Sequence, residues 1–225
     1  MMTTYIETIR YYLPELFLSL QQSLLMLLIA TAGAIFLGLP LGTLIYLSRK
    51  GVYRYSRLLA FFLNGYVDIV RSFPFLLLVV ALIPLTRELI GTAFGTYAAA
   101  FPLAIVAVAL YARLVEQVLL DVPEALLELA NVLGASKKQL IFEFIYVEAR
   151  SGLVLALTSV VISLVSYSTV MGVVGGGGIG DFAMRYGYQR YEYAVMYTAI
   201  GLMILFVSFI QIGGSFLAKK IDQKH

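Results

Sequence analysis

Cysteine is absent from the chain, and histidine occurs once, as His225. The first absence removes any disulfide framework and any thiolate metal site. The second leaves histidine-based catalysis and a Ser-His-Asp set without an agent, and the sequence shows no metal-ligand cluster. No Gly-x-x-x-x-Gly-Lys-Ser/Thr stretch occurs, so the chain is not expected to be an enzyme that splits ATP by phosphate-loop chemistry. Residues 1 to 15 show no basic start followed by a short apolar core and a cleavage site, so no cleaved leader is expected. Charge is scarce: 13% of residues are charged and 61% hydrophobic, and the mean hydropathy is +0.91. Several stretches long enough to cross a bilayer carry no charge, which marks a polytopic membrane protein. In such a chain a net charge of +3 speaks for helix orientation and not for nucleic acid.

The apolar runs predict an all-α integral membrane fold with five transmembrane helices, near residues 16–48, 58–86, 89–112, 151–174 and 193–218. A straight helix over the first run would be about 50 Å long against a bilayer core of about 30 Å, so it must tilt, kink or protrude. Pro40 supplies a kink site. Ala34, Gly38 and Gly42, four residues apart, make a small-residue face that lets another helix approach. The second run contains Asp68, Arg71 and Pro74 and reads as one tilted or broken span. Between and around the spans lie a first segment at 1–15, a long loop at 113–150 and a tail at 219–225.

Five crossings put the two ends on opposite sides. Residues 49–57, 113–150 and 219–225 share one side and hold eleven of the sixteen Lys and Arg residues. The other side holds Arg10, Arg87, Arg185 and Arg190. The positive-inside rule therefore predicts the amino end outside, with the carboxyl end and the 113–150 loop in the cytoplasm. Tyr186, Tyr188, Tyr191 and Tyr193 then fall at the outer interface, where tyrosine belts form.

Within the loop, residues 121–150 read as a helix, a glycine elbow and a second helix. Asp121, Pro123 and Glu124 form a helix-start pattern. Gly134 can take the left-handed conformation that ends the helix. Ser136 begins the next one, with Gln139 at capping-box spacing. Glu124, Glu128 and Asn131 form one polar stripe; Ala125, Leu126, Leu127, Leu129, Ala130, Val132 and Leu133 cover the rest. That much apolar surface asks for burial on more than one side. The helix either lies flat on the membrane surface or plugs into a groove on a partner.

Other features carry two readings each. The run Gly175, Gly176, Gly177, Gly178, Ile179, Gly180 formally fits a dinucleotide fingerprint, but a membrane span precedes it and no strand–helix unit surrounds it. Its glycines serve tight turns and close backbone approach. Asp68 and Arg71, at i and i+3, can pair on one face at about mid-membrane, as a structural lock or as part of a pathway or gate, or they lie shallower, near the headgroups, if the span is displaced. Ser159, Ser163 and Ser166 share a helix face, for packing or for lining a route. Val170 and Met171 follow as candidate hydrophobic gate residues.

The loop resembles the EAA loop of type I ABC importer permeases: Glu128, Ala130 and Gly134 stand at the family's spacing in ELANVLG. Leu129 replaces the first alanine, and Val147 stands where the family has proline. The surrounding ARLVEQVLLDVPEALLELANVLGAS is similar to the methionine-uptake branch. The Gly175–Gly180 stretch, followed by Tyr186-Gly187-Tyr188, resembles the same branch, with a related stretch in permeases for quaternary-amine osmolytes, and the Arg71-Ser72-Phe73-Pro74-Phe75 segment resembles the methionine and polar amino-acid permeases; the resemblance to the methionine branch covers about residues 19–215. The resemblance implies a type I ABC importer permease core whose coupling helix (Glu124, Glu128, Ala130, Gly134, Ala135, Ser136) inserts into an ATPase subunit. It implies a homodimer in the bacterial inner membrane, two ATPase subunits that bind ATP and magnesium, and an extracytoplasmic substrate-binding protein above the glycine stretch. No cofactor is expected on this chain. The alternatives are another amino acid or an osmolyte as cargo, or a stand-alone secondary transporter or channel, for which Asp68 alone would have to serve as coupling-ion ligand.

Overall fold

A computed structural model describes residues 2–50 and 57–222. Arg54, Lys224 and His225, and the side chain of Arg57, lie outside the described residues. Helix α1 (Met2–Gly33) runs without a break at residue 15 and continues through a π-helical turn, Ala34–Gly38, into α2 (Leu39–Arg49). Proline accounts for the widened turn. Pro40 has no N–H to give, and its ring would press on the carbonyl one turn back. The Leu39 N–H instead reaches five residues back to the Ala34 carbonyl. The small-residue face packs as its spacing predicts. A Cβ on Gly38 would lie 3.0 Å from the Val108 carbonyl oxygen, and one on Gly42 would run into Ala112 and Val115. Helix α5 (Thr96–Leu120) therefore lies backbone-close along α1 and α2.

The second span is broken. Helices α3 (Arg57–Ser72) and α4 (Phe75–Ile90) meet at 118°. Pro74 breaks the helix here, because it has no N–H to donate and pushes the preceding residue out of the helical region. Lys50, before α3, pairs with Glu124. Gly95, after α4, donates to the Gly175 carbonyl (2.9 Å) at the opposite end of the molecule. We call the Glu124 end basal and the Gly175 end distal. With α8 (Tyr146–Val173) and α10 (Tyr193–Ile221), the described residues hold four helices long and apolar enough to cross a membrane, five spans if the bent pair α3–α4 is counted as one, and they contain no strand.

Helix α5 is the centre. Ala99, Ala100, Leu103, Ala107, Val115 and Leu119 are buried against Met26 and Ala30 of α1 and Leu153, Val160 and Leu164 of α8. Its alanines let helices close in from several sides. Phe61, Leu77, Ile204 and Phe209 face outward from the bundle, which suits a lipid solvent.

Candidate functional site: the basal helix and the route above it

The basal segment is α6 (Glu124–Val132), α7 (Lys137–Gln139) and a π-helical turn, Leu140–Ile145, that leads into α8. Asp121 does not start α6. It caps the C-terminal end of α5 in helical conformation, and Pro123 takes the cap position of α6 with no side-chain hydrogen bond. The reason is Pro123 itself, which keeps Val122 out of the helical region and forces the break before Glu124. The other end follows the expected chemistry. Gly134 has φ +69, and the N–H groups of Gly134 and Ala135 donate to the carbonyls of Asn131 and Ala130 (both 3.0 Å). That is a Schellman stop. Ser136 and Gln139 form the reciprocal capping box. Val147 lies inside the first turn of α8, and the helix runs on through it.

Helix α6 is two-faced. Ala130 is 1% exposed and, with Leu126 and Leu127, packs on the core beside Tyr46 and Val122. Leu129, Val132 and Leu133 point outward; Val132 is 84% exposed. Glu128 and Asn131 are exposed beside them. The segment is tied to the bundle by polar links. The Thr43 and Tyr146 hydroxyls share a hydrogen bond of 2.7 Å, and Lys50 Nζ meets Glu124 Oε1 at 2.6 Å.

The hydrogen bond and charge of Lys50 hold the Glu124 carboxyl below its ordinary value, and the same bond raises Lys50. A carboxylate lowered by folding contributes stability above its unfolded value and loses it as pH falls through the lowered folded value. The pair is open to solvent and screened. Lys50→Met is therefore expected to lower the thermal unfolding midpoint only slightly at pH 7. That difference should vanish when pH drops below the carboxylate range; a gap that persists there would contradict the pairing.

Asp68 and Arg71 do not pair with each other. Asp68 binds Arg113 of α5, and among the described residues Arg71 has no ion-pair partner. Helix α3 lies across α5, with Val70 against Val106 and Ala109. This brings Asp68 beside Arg113, where the charge-free run of α5 ends. Arg113 also binds Glu116 (2.6 Å), which accepts from Arg49 (3.2 Å). Sequence reasoning missed Glu116 and its arginines, although Arg113 and Glu116 stand at i, i+3 spacing.

On α8, Ser159 and Ser166 are exposed and Ser163 half-buried, on one face. The Ser159 and Ser163 hydroxyls donate to carbonyls one turn back (both 3.0 Å), so they sit in an apolar span without an unmet donor. Val170 borders an apolar cavity of about 420 Å³ between α8 and α10, whereas Met171 is buried in the core.

The glycine run is closely packed. Gly175 is exposed, but Gly176, Gly178 and Gly180 are buried. The N–H groups of Gly178 and Ile179 donate to Gln22 Oε1 (2.8 Å) and Ser23 Oγ (2.9 Å) of α1. Gly177 and Gly178 have φ +75 and +87, a region that favours glycine. Helix α9 (Gly178–Phe182) and a π-helical turn (Ala183–Tyr188) complete this distal end.

Comparison with known proteins gives a consistent picture. Residues 34–224 match the family described as binding-protein-dependent transport system inner membrane component. The probable D-methionine transport system permease protein MetI of Vibrio cholerae is 40% identical over 203 residues, covering 90% of both chains. The methionine import system permease protein MetP of Bacillus subtilis is 33% identical, covering 80% of this chain and 82% of its own. Among solved structures, a chain of the MetNI methionine ABC transporter in inward-facing conformation is similar, with a TM-score of 0.89 and 35% identity over 94% of this chain and 98% of that one. A chain of an amino acid ABC transporter shares the fold, with a TM-score of 0.73 at 18% identity over 98% of each chain.

Proposed function

The chain belongs to the family of binding-protein-dependent transport system inner membrane components, and on that premise we propose that it is the permease subunit of an ATP-driven importer for methionine. The observation that carries the reading is the basal helix Glu124–Val132. It is stopped sharply by the Gly134 turn, rests on the core through Ala130 and offers Leu129, Val132 and Leu133 to something outside the bundle. On this reading that face sits in a cleft on an ATPase subunit. Two copies of the chain enclose the path, two ATPase subunits supply ATP and magnesium chemistry, and an extracytoplasmic binding protein docks over the distal end near Gly175–Gly180. The bias of basic residues supports an amino end outside and a carboxyl end in the cytoplasm.

ATP binding draws the ATPase pair together and carries both basal helices with it. The two bundles then pass from inward-facing to outward-facing, and hydrolysis resets them. The serine face of α8, with Val170 and the guanidinium of Arg71, is offered to the route. Met171 reaches it only if α8 turns. Methionine as cargo rests on the names of the two relatives, of which one specifies the D form.

The test is uptake of labelled methionine into proteoliposomes holding this chain, its ATPase and its binding protein. Import that requires ATP and the ATPase, and that only methionine-like compounds compete, is expected. Stimulated ATP hydrolysis without methionine import would keep the importer and discard the cargo. Import without any ATPase would overturn the reading.

A further inference from the structure

One continuous line of charges joins the basal helix to the broken second span. Glu124, the first residue of α6, meets Lys50 at 2.6 Å. Arg49, next to Lys50 and last in α2, binds Glu116 of α5 at 3.2 Å. Glu116 also takes Arg113 at 2.6 Å. Arg113 gives its other terminal nitrogen to Asp68 of α3, six residues before Pro74 at the corner.

Burial along the line is graded. The Glu116 side chain is 3% exposed, that of Arg113 18% and that of Asp68 59%. Arg113 thus has a fixed partner one turn away on its own helix and a second, accessible partner on another helix. If Asp68 leaves, Arg113 keeps a counter-charge, so the separation strands no buried cation. An unpaired buried charge is what normally makes such a break costly. Val67 and Val70 of α3 add apolar contacts, and the Tyr66 hydroxyl donates to the Ile105 carbonyl (2.8 Å). An apolar contact alone does not fix where α3 stands along α5; the ion pair and the Tyr66 hydroxyl do, and of these two the ion pair is the one joined to the line of charges.

We propose that this line positions α3 according to the position of the basal helix, with Asp68–Arg113 as its releasable joint, so that motion at the ATPase end is passed to the corner at Pro74. The proposal rests on the reading of α6 as the ATPase-docking helix. Spatial continuity alone does not establish coupling; two ends that depend on one another do.

The experiment measures methionine imported per ATP hydrolysed in the reconstituted complex. Asp68→Asn is expected to lower the ratio about five-fold or more, the lower range of coupling between distant sites. Asp68→Glu, which keeps the charge, is expected to restore most of it. Glu124→Gln is expected to lower the ratio as well, and the double variant Asp68→Asn/Glu124→Gln to be no worse than the poorer single one. Multiplying effects in the double variant, or an unchanged ratio in Asp68→Asn, would overturn the line. So would an Asp68→Asn permease that no longer co-elutes with its ATPase, because Asp68 would then act through assembly. Wild-type import that ignores the ATPase would refute the functional reading itself, and the line with it; ATP-driven wild-type import with an unaltered Asp68→Asn ratio would refute the line alone.

Discussion

Val132→Asp is expected to separate the permease from its ATPase while leaving the permease folded. Val132 is 84% exposed, and a change at such a surface position usually costs the isolated fold within about 0.5 kcal/mol. In the complex the same position would face an apolar cleft. Losing a central apolar contact costs about 2–4 kcal/mol, roughly 30- to 1000-fold in affinity, and a carboxylate buried there without a partner adds to it. The purified variant should unfold at the wild-type temperature, fail to co-elute with the ATPase and import methionine at background rate. Wild-type co-elution would place the docking face elsewhere. Ala130→Asp would not discriminate in this way. Ala130 is 1% exposed and faces the core beside Tyr46, so a charge there damages the fold before it reaches the interface.

That difference between two neighbours on one helix marks how far the sequence could be read. The polar stripe of Glu124, Glu128 and Asn131 was legible from spacing, as were Gly134 and the Ser136–Gln139 box, because a cap is local chemistry written within a few residues. Which apolar flank of α6 faces inward was not legible, since it depends on where α2 and the π-helical turn before α8 lie. The same limit explains Asp68. Its neighbour in sequence, Arg71, is available at i+3, but the packing of α3 on α5 brings Arg113 within reach of Asp68. The polar residues Gln22 and Ser23 lie inside an apolar run where spacing gives them no partner. Their partners are backbone N–H groups 156 residues away. The broken second span was legible at Pro74, and its 118° angle was not.

Gly172→Ala is expected to reduce the folded permease more than alanine at the other glycines whose surroundings are open. A Cβ on Gly172 would press on the Asp181 N–H, lie 2.8 Å from the Gly180 carbonyl carbon and 3.0 Å from the Asp181 Cα. Every one of those atoms is backbone, so no side chain can swing aside. A Cβ on Gly180 would in turn run into the backbone of Thr169, so α8 and α9 cross with only hydrogen atoms between them. Overpacking costs about 1–3 kcal/mol where side chains can adjust and more where they cannot, against a total stability of about 5–15 kcal/mol. The crossing also holds the run that Gln22 and Ser23 anchor, so a shift of α9 loosens the distal end as a whole. Gly134→Ala is the informative comparison. Its Cβ would meet no atom, and the cost is the strain of φ +69 alone, about 1–2 kcal/mol. Membrane-inserted protein and its unfolding temperature in detergent should therefore fall sharply for Gly172→Ala and little for Gly134→Ala. Equal stability of the two variants would show that α9 can move away from α8 at little cost, and that the buried glycines are not what fixes the distal end.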